Sequence, residues 1–229
     1  MIDIARNLEI VQSKIRTACE KSKRSYSEVT LVAVSKTQSS ASISELVSLG
    51  VKNFGENRVQ ELLEKQPQTP HDIIWHMIGH LQTNKVKSII DKVSLIHSAD
   101  SYRLIKEIDK QAKSHEKIME ILVEINIADE DSKYGIEPGE LNEFLTEIAG
   151  CRNIMVKGLM CLAPYVENPE ENRLYFRKMR QMFIDSKDIS ANNINMQYLS
   201  MGMTNDYEVA IEEGANIVRV GTGIFGARN

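Results

Sequence analysis

An excess of positive charge, a long apolar run and a paired set of cysteines are all missing from this 229-residue chain. Lys and Arg number 28 against 32 Asp and Glu, giving a net charge of -4 and a pI near 5.8. Without a basic surplus to neutralise phosphates, neither nucleic acid nor an anionic membrane is expected as the main partner. No stretch carries five or six like charges in a row. No window of about 18 apolar residues exists to cross a bilayer. The opening Met1-Ile2-Asp3-Ile4-Ala5-Arg6 lacks the basic-then-apolar pattern of a secretion leader, so a cytoplasmic location is expected. Cys19, Cys151 and Cys161 are odd in number and far apart, which suits reduced, packed thiols. Cys161, near an expected strand end, is the one placed for reactivity, and core packing is the favoured reading even there.

What is present is ordinary in amount, with 42% hydrophobic and 26% charged residues, and is ordered in a rhythm. Residues 3–22 carry Ile4, Leu8, Val11, Ile15 and Ala18 at helical spacing behind a capping Asp3. The run Thr30 to Val34 then reads as a buried strand that ends abruptly in Ser35-Lys36-Thr37. Seven further apolar runs follow, at 51–54, 73–78, 93–97, 119–127, 154–162, 196–199 and 217–220, each trailed by a helical pattern. Ser42 with Glu45 reads as the capping box of the first of these helices, and Asn205 with Glu208 as the cap of a late one. Uninterrupted alternation implies parallel strands joined by crossovers. Eight units predict one domain over 1–229, a single (β/α)8 TIM-like barrel with an extra N-terminal helix, with a doubly wound open sheet as the runner-up.

In such a barrel the chemistry gathers at the C-terminal ends of the strands. Lys36 stands there after the first strand. Burial among apolar neighbours lowers a lysine's pKa and makes its neutral amine a nucleophile toward carbonyls. Gly221-Thr222-Gly223 leaves the last strand with backbone N–H groups able to converge on an anion, beside Ser200 and the Met201-Gly202 backbone. Arg219 ends the same strand, where it needs a partner such as Glu56, a phosphate or an aromatic ring nitrogen. A nucleophilic lysine, a phosphate cradle and a strand-end arginine together suggest pyridoxal phosphate, with the aldehyde to Lys36, the phosphate to the last loops and the ring nitrogen to Arg219. A sugar-phosphate aldolase using Lys36 directly is a competing reading of the same rim. His76 and His80 have the spacing of a helical zinc pair but fall on a strand and its turn, so no metal is expected.

The motifs Val-Ser-Lys-Thr (34–37), Phe-Gly-Glu-Asn (54–57), His-Met-Ile-Gly-His-Leu-Gln-Thr-Asn-Lys (76–85), Asp-Ser-Lys-Tyr-Gly (131–135), Lys-Gly-Leu-Met (157–160), Leu-Ser-Met-Gly-Met-Thr-Asn-Asp (199–206) and Arg-Val-Gly-Thr-Gly-Ile-Phe-Gly-Ala-Arg (219–228) run through the chain in order. They resemble the pyridoxal phosphate homeostasis protein family, whose members are similar to the barrel domain of alanine racemase. The resemblance implies a Schiff base on Lys36 and a role in buffering the cofactor or delivering it to apoenzymes that depend on it. An amino-acid racemase or lyase is the alternative, although no second domain is seen to place an acid on the other face of a substrate. The expected cofactor contacts are Lys36, Val34, Asn57, Met160, Ser200, Met201, Arg219, Gly221 and Thr222. His80 is expected to border the cofactor, Lys133 reads either as a second amine near the mouth or as a loop charge, His97 reads as a satisfied core histidine ahead of a rim group, and the open rim suggests a monomer.

Overall fold

The computed structural model describes residues 3–128, 134–189 and 191–226. Strands β1 (Thr30–Val34), β2 (Asn53–Glu56), β3 (Ile74–Met77), β4 (Leu95–Ala99), β5 (Met119–Ile125), β6 (Ile154–Cys161), β7 (Ile194–Met203) and β8 (Ile217–Val220) close into a barrel in chain order. All pairings are parallel, and β1 meets β8 with Ala33 opposite Val220. The eight-unit barrel expected from the alternation is therefore the fold, and the open sheet is not. Helix α1 (Ile4–Lys21) precedes the barrel, with Asp3 accepting from the Arg6 N–H at 2.9 Å. The crossovers carry α2 (Ser40–Ser48), α3 (Val59–Lys65), α4 (Tyr102–Ser114), α5 (Leu141–Ile148), α6 (Arg173–Asp185) and α7 (Tyr207–Glu212), and α8 (Thr222–Phe225) follows β8. The β3–β4 connection is a 3-10 helix, Thr83–Ser88, and not the α-helix that Val86, Ile89 and Ile90 suggested; six residues with one buried side chain suit the tighter turn.

Several boundaries moved, and the moves matter for the site. The α2 cap is Ser39, which accepts from the Ser42 N–H at 3.2 Å, so Ser42 lies inside the helix and starts no capping box. At α7 the residue before the helix is Asp206, while Asn205 turns away to donate to the Val166 carbonyl at 2.8 Å. Strands β2 and β4 begin two residues later than their apolar runs, and β7 runs through Met203. Ser200 and Met201 thus sit inside a strand and not on the loop after it. Small polar residues broke the apolar pattern, yet a barrel interior accepts them where each is hydrogen-bonded.

Two apolar clusters hold the fold. The larger lies between strands and helices, and the smaller, Val32, Leu95, Leu122, Met160 and Ile217, fills the barrel interior. Because strand side chains alternate in direction, residues two further along point inward one layer higher. Those residues are Val34, His97, Glu124, Leu162 and Arg219. The interior is apolar below, while three of the five side chains above it, under the rim, are ionisable. Helix α1 packs on α7 and α8, tied by Asn7 donating to the Ile224 carbonyl at 3.0 Å. Gly158 is obligatory where β6 crosses β7, since a Cβ there would lie 1.8 Å from the Tyr198 carbonyl oxygen.

Candidate functional site at the barrel rim

A cavity of about 400 Å³ opens at the C-terminal rim, lined among others by Val34, Lys36, Thr204, Asp206, Arg219 and Thr222. Its size falls in the range of small-molecule sites. Each wall comes from a different strand end, as the barrel topology requires.

Lys36 is delivered by β1 and half-buried. Its backbone is gripped on both sides by α3. Lys65 donates to the Ser35 carbonyl at 2.8 Å, and Glu61 accepts from the Thr37 N–H at 2.6 Å. The grip closes through Lys65, which also binds Glu56 and Glu61 at 2.8 Å each, while the Ser35 hydroxyl donates to Glu56 at 2.7 Å. Thr37 is held at φ +64°, a left-handed conformation that a β-branched residue rarely adopts. Glu56 is fully buried, and burial pushes its carboxyl above the ordinary range despite the bonds from Lys65 and Ser35. At Glu61 burial pushes the same way, but the bonds from Lys65 and Thr37 hold that carboxyl below its usual value. Glu56 therefore belongs to Lys65 and not to Arg219, which corrects the pairing considered from the sequence.

Arg219 projects from β8 into the upper interior, nearly inaccessible to solvent. It donates to the Ser200 hydroxyl and, at 2.8 Å, to the Cys161 carbonyl. Burial lowers its pKa, and Glu124 and Asp206 supply nearby negative charge. Glu124 is itself pushed up to about 7, chiefly by burial, with Asp100 adding to the rise and Arg219 opposing it.

At the far wall the Thr204 hydroxyl accepts from the N–H groups of Gly221 and Gly223 at 3.3 and 3.4 Å. The two N–H groups converge on Thr204, whose hydroxyl would have to give way as acceptor for an anion seated beside Thr204 and Thr222. Gly202, at φ +88°, turns the chain beneath this wall; a Cβ there would come within 2.5 Å of Ala210 Cβ. Asp206 fixes the same turn by accepting from the Met203 N–H and the Asn172 amide at 2.7 and 2.8 Å.

Of the residues named from the sequence, Val34, Lys36, Arg219, Gly221 and Thr222 come together on the cavity. Ser200 lies beneath it, held between Arg219 and His97. Met201 is buried in the shell facing the helices, and Met160 in the interior cluster. Asn57 is half-buried, with a buried Oδ1 that has no hydrogen-bond partner. His97 is fully buried and bonded at both ring nitrogens, as a satisfied core histidine should be. His80 lies apart, bonded to Asp100 at 2.9 Å and stacked on Tyr134. Lys133 falls outside the described residues. Thr204, Asp206 and Tyr165 were missed as lining residues; the first two follow an expected rim segment at once, so the signal was a strand end set too early.

The family model described as alanine racemase, N-terminal domain, matches residues 7–229, so the fold belongs to that class of barrel. The chain is 44% identical over 222 residues to the pyridoxal phosphate homeostasis protein of Aquifex aeolicus (strain VF5), covering 96% of each. It is 37% identical over 234 residues to that of Escherichia coli (strain K12), covering 100% of this chain and 98% of the relative. Among solved structures, PipY of Synechococcus elongatus PCC7942 with PLP bound superposes with a TM-score of 0.84 at 31% identity, covering 98% of this chain and 100% of PipY. The chain belongs to the pyridoxal phosphate homeostasis protein family.

Proposed function

We propose that this chain binds pyridoxal 5'-phosphate at the rim cavity, holds it as a Schiff base on Lys36, and buffers it or delivers it to apoenzymes that require it. The observation that carries this reading is the convergence of three chemistries on one cavity: the Lys36 amine, the Arg219 guanidinium and the Thr204–Gly221–Thr222–Gly223 cradle. The group fits the donors. Its phosphate would take the backbone N–H groups of Gly221 and Gly223 with the Thr204 and Thr222 hydroxyls. Its ring nitrogen would accept from Arg219, whose positive charge opposes protonation there. When bound, the cofactor supplies an aldehyde for capture by an amine and a ring that can accept electrons.

The residues of the chain do the rest. Lys36 would hold the group through Nζ, where the cofactor's aldehyde would supply a carbon for reversible capture by an amine with loss of water. The α3 grip on Ser35 and Thr37 holds the backbone on either side of Lys36 at the cavity. Arg219 orients the ring without offering a proton, since a guanidinium stays charged. No helix among the described residues is long and apolar enough to cross a membrane. The test is transfer. Loaded protein, freed of unbound cofactor, is mixed with a pyridoxal phosphate-dependent apoenzyme whose activity is followed. Recovery of activity is expected, and Lys36→Ala handled identically should give none. No recovery over hours from loaded protein would contradict delivery.

A further inference from the structure

Five side chains form one hydrogen-bonded line through the barrel. Arg219 binds the Ser200 hydroxyl, Ser200 Oγ meets His97 Nδ1 at 3.0 Å, His97 Nε2 meets His76 Nδ1 at 2.9 Å, and His76 Nε2 meets Asn53 Oδ1 at 3.0 Å. The direction of every bond follows from its first member. A guanidinium only donates, so the Ser200 oxygen accepts from Arg219 and its own hydrogen is left for His97 Nδ1. A neutral His97 that accepts at Nδ1 carries its proton on Nε2 and donates to His76 Nδ1. His76 in turn carries its proton on Nε2 and donates to the Asn53 carbonyl oxygen. Each link has one donor and one acceptor, and the line crosses from β8 and β7 to His97 on β4, opposite β8, before ending at Asn53 on β2. Both rings stay neutral, because burial holds His76 at about 4 and, with the charge of Arg219 adding, His97 well below its usual value.

Such a line does what a carboxylate partner would not. A carboxylate bonded to Arg219 would neutralise it and draw it out of the cavity. Neutral, oriented dipoles hold the guanidinium through hydrogen bonds, while the negative charge of Glu124 and Asp206 reaches it without a carboxylate hydrogen bond. With one N–H spent on Ser200 and one on the Cys161 carbonyl, the remaining donors of this cavity-lining side chain are left for a ligand.

We propose that His97, backed by His76 and Asn53, is a positioning residue that acts through Ser200 to fix the Arg219 guanidinium toward an unprotonated ring nitrogen. The inference rests on the reading of the cavity as a pyridoxal phosphate site. It is tested by titrating pyridoxal phosphate into the wild type, Ser200→Ala, His97→Leu and the double variant, following the visible band and Kd. Each single change should weaken binding about tenfold and shift the band in the same way, since each releases the same guanidinium. The double variant should be no worse than either single one, because the effect passes along one line. A His97→Leu variant with a lowered melting temperature but wild-type band and Kd would overturn the proposal, as would effects that multiply in the double variant. Should His97→Leu fail to fold, Ser200→Ala and His76→Gln decide. Gln at 76 still accepts and donates, so it should keep the wild-type band that Ser200→Ala loses, and an unchanged band in Ser200→Ala overturns the proposal. A wild type that shows no band overturns the cofactor reading and this inference with it; a wild-type band with unaffected variants overturns this inference alone.

Discussion

The two arms of the site are held by opposite kinds of chemistry. Lys36 is fixed from outside the barrel wall by a charged knot in which Lys65 binds Glu56, Glu61 and the Ser35 carbonyl. Arg219 is fixed from inside by neutral partners, Ser200 and the two histidines behind it. The difference follows from what each arm must present. On the lysine arm the charges of the knot satisfy one another and grip the backbone on either side of Lys36. An arginine that works as a cation gains from hydrogen-bond partners that are neutral, with the negative charge of Glu124 and Asp206 nearby but not bonded to it. Removing one member of a buried ion pair strands a charge and costs more than removing a neutral hydrogen-bond partner.

The largest effect should come from Lys65→Met, which leaves Glu56 buried without its cation and frees the Ser35 carbonyl. A loss of about 3 to 5 kcal/mol in denaturant unfolding is expected. A loss under about 1 kcal/mol would remove the distinction between the arms.

Acid should act on the neutral arm next. The folded pKa of His76 is depressed to about 4 from 6.5. Its contribution is therefore fully present above pH 6.5 and is lost as pH falls toward 4, with His97 acting in the same sense. For His76 the span is worth roughly 3 kcal/mol. Glu124 acts against it: raised to about 7, it favours the fold below pH 4.5 and loses that advantage as pH rises through 7. Melting temperatures measured from pH 8 to pH 4 should thus fall in the wild type. They should fall more steeply in Glu124→Gln, which lacks the compensating proton.

A smaller loss, about 2 kcal/mol, is expected for His97→Leu near pH 7.5 from the unpaired Ser200 hydroxyl and His76 nitrogen. It should be insensitive to salt, because no charge is removed. The smallest effect belongs to Thr37→Gly. Relief of the left-handed backbone, offset by the entropy of glycine, should stabilise the protein by less than about 1 kcal/mol. The measurement is the shift of the unfolding midpoint.

The rhythm of apolar runs was enough to read the barrel, because most strands are buried on both faces and most crossovers carry an amphipathic helix. The rim lysine, the strand-end arginine and the glycine turn were legible for the same reason: they interrupt apolar runs at the end where barrels keep their sites. The grip on Lys36 was not legible, since Glu56 and Lys65 meet only after β2 and α3 are folded against β1. Nor was the histidine line. His76 and His97 are separated by 21 residues and meet through strand adjacency, and placing Ser200 on a loop hid its inward register. Local pattern gave the elements and their ends, while partnerships across strands needed the closed barrel.

The central claim is that Lys36 is the residue that holds pyridoxal phosphate in this cavity. The most direct measurement is borohydride reduction of the protein mixed with pyridoxal phosphate, followed by peptide mass mapping, in parallel with Lys36→Ala. A visible band that vanishes on reduction, with the added cofactor mass on the peptide bearing Lys36 and none in the variant, is the predicted result. A colourless mixture, or the adduct on another lysine with Lys36→Ala labelled equally, would contradict it.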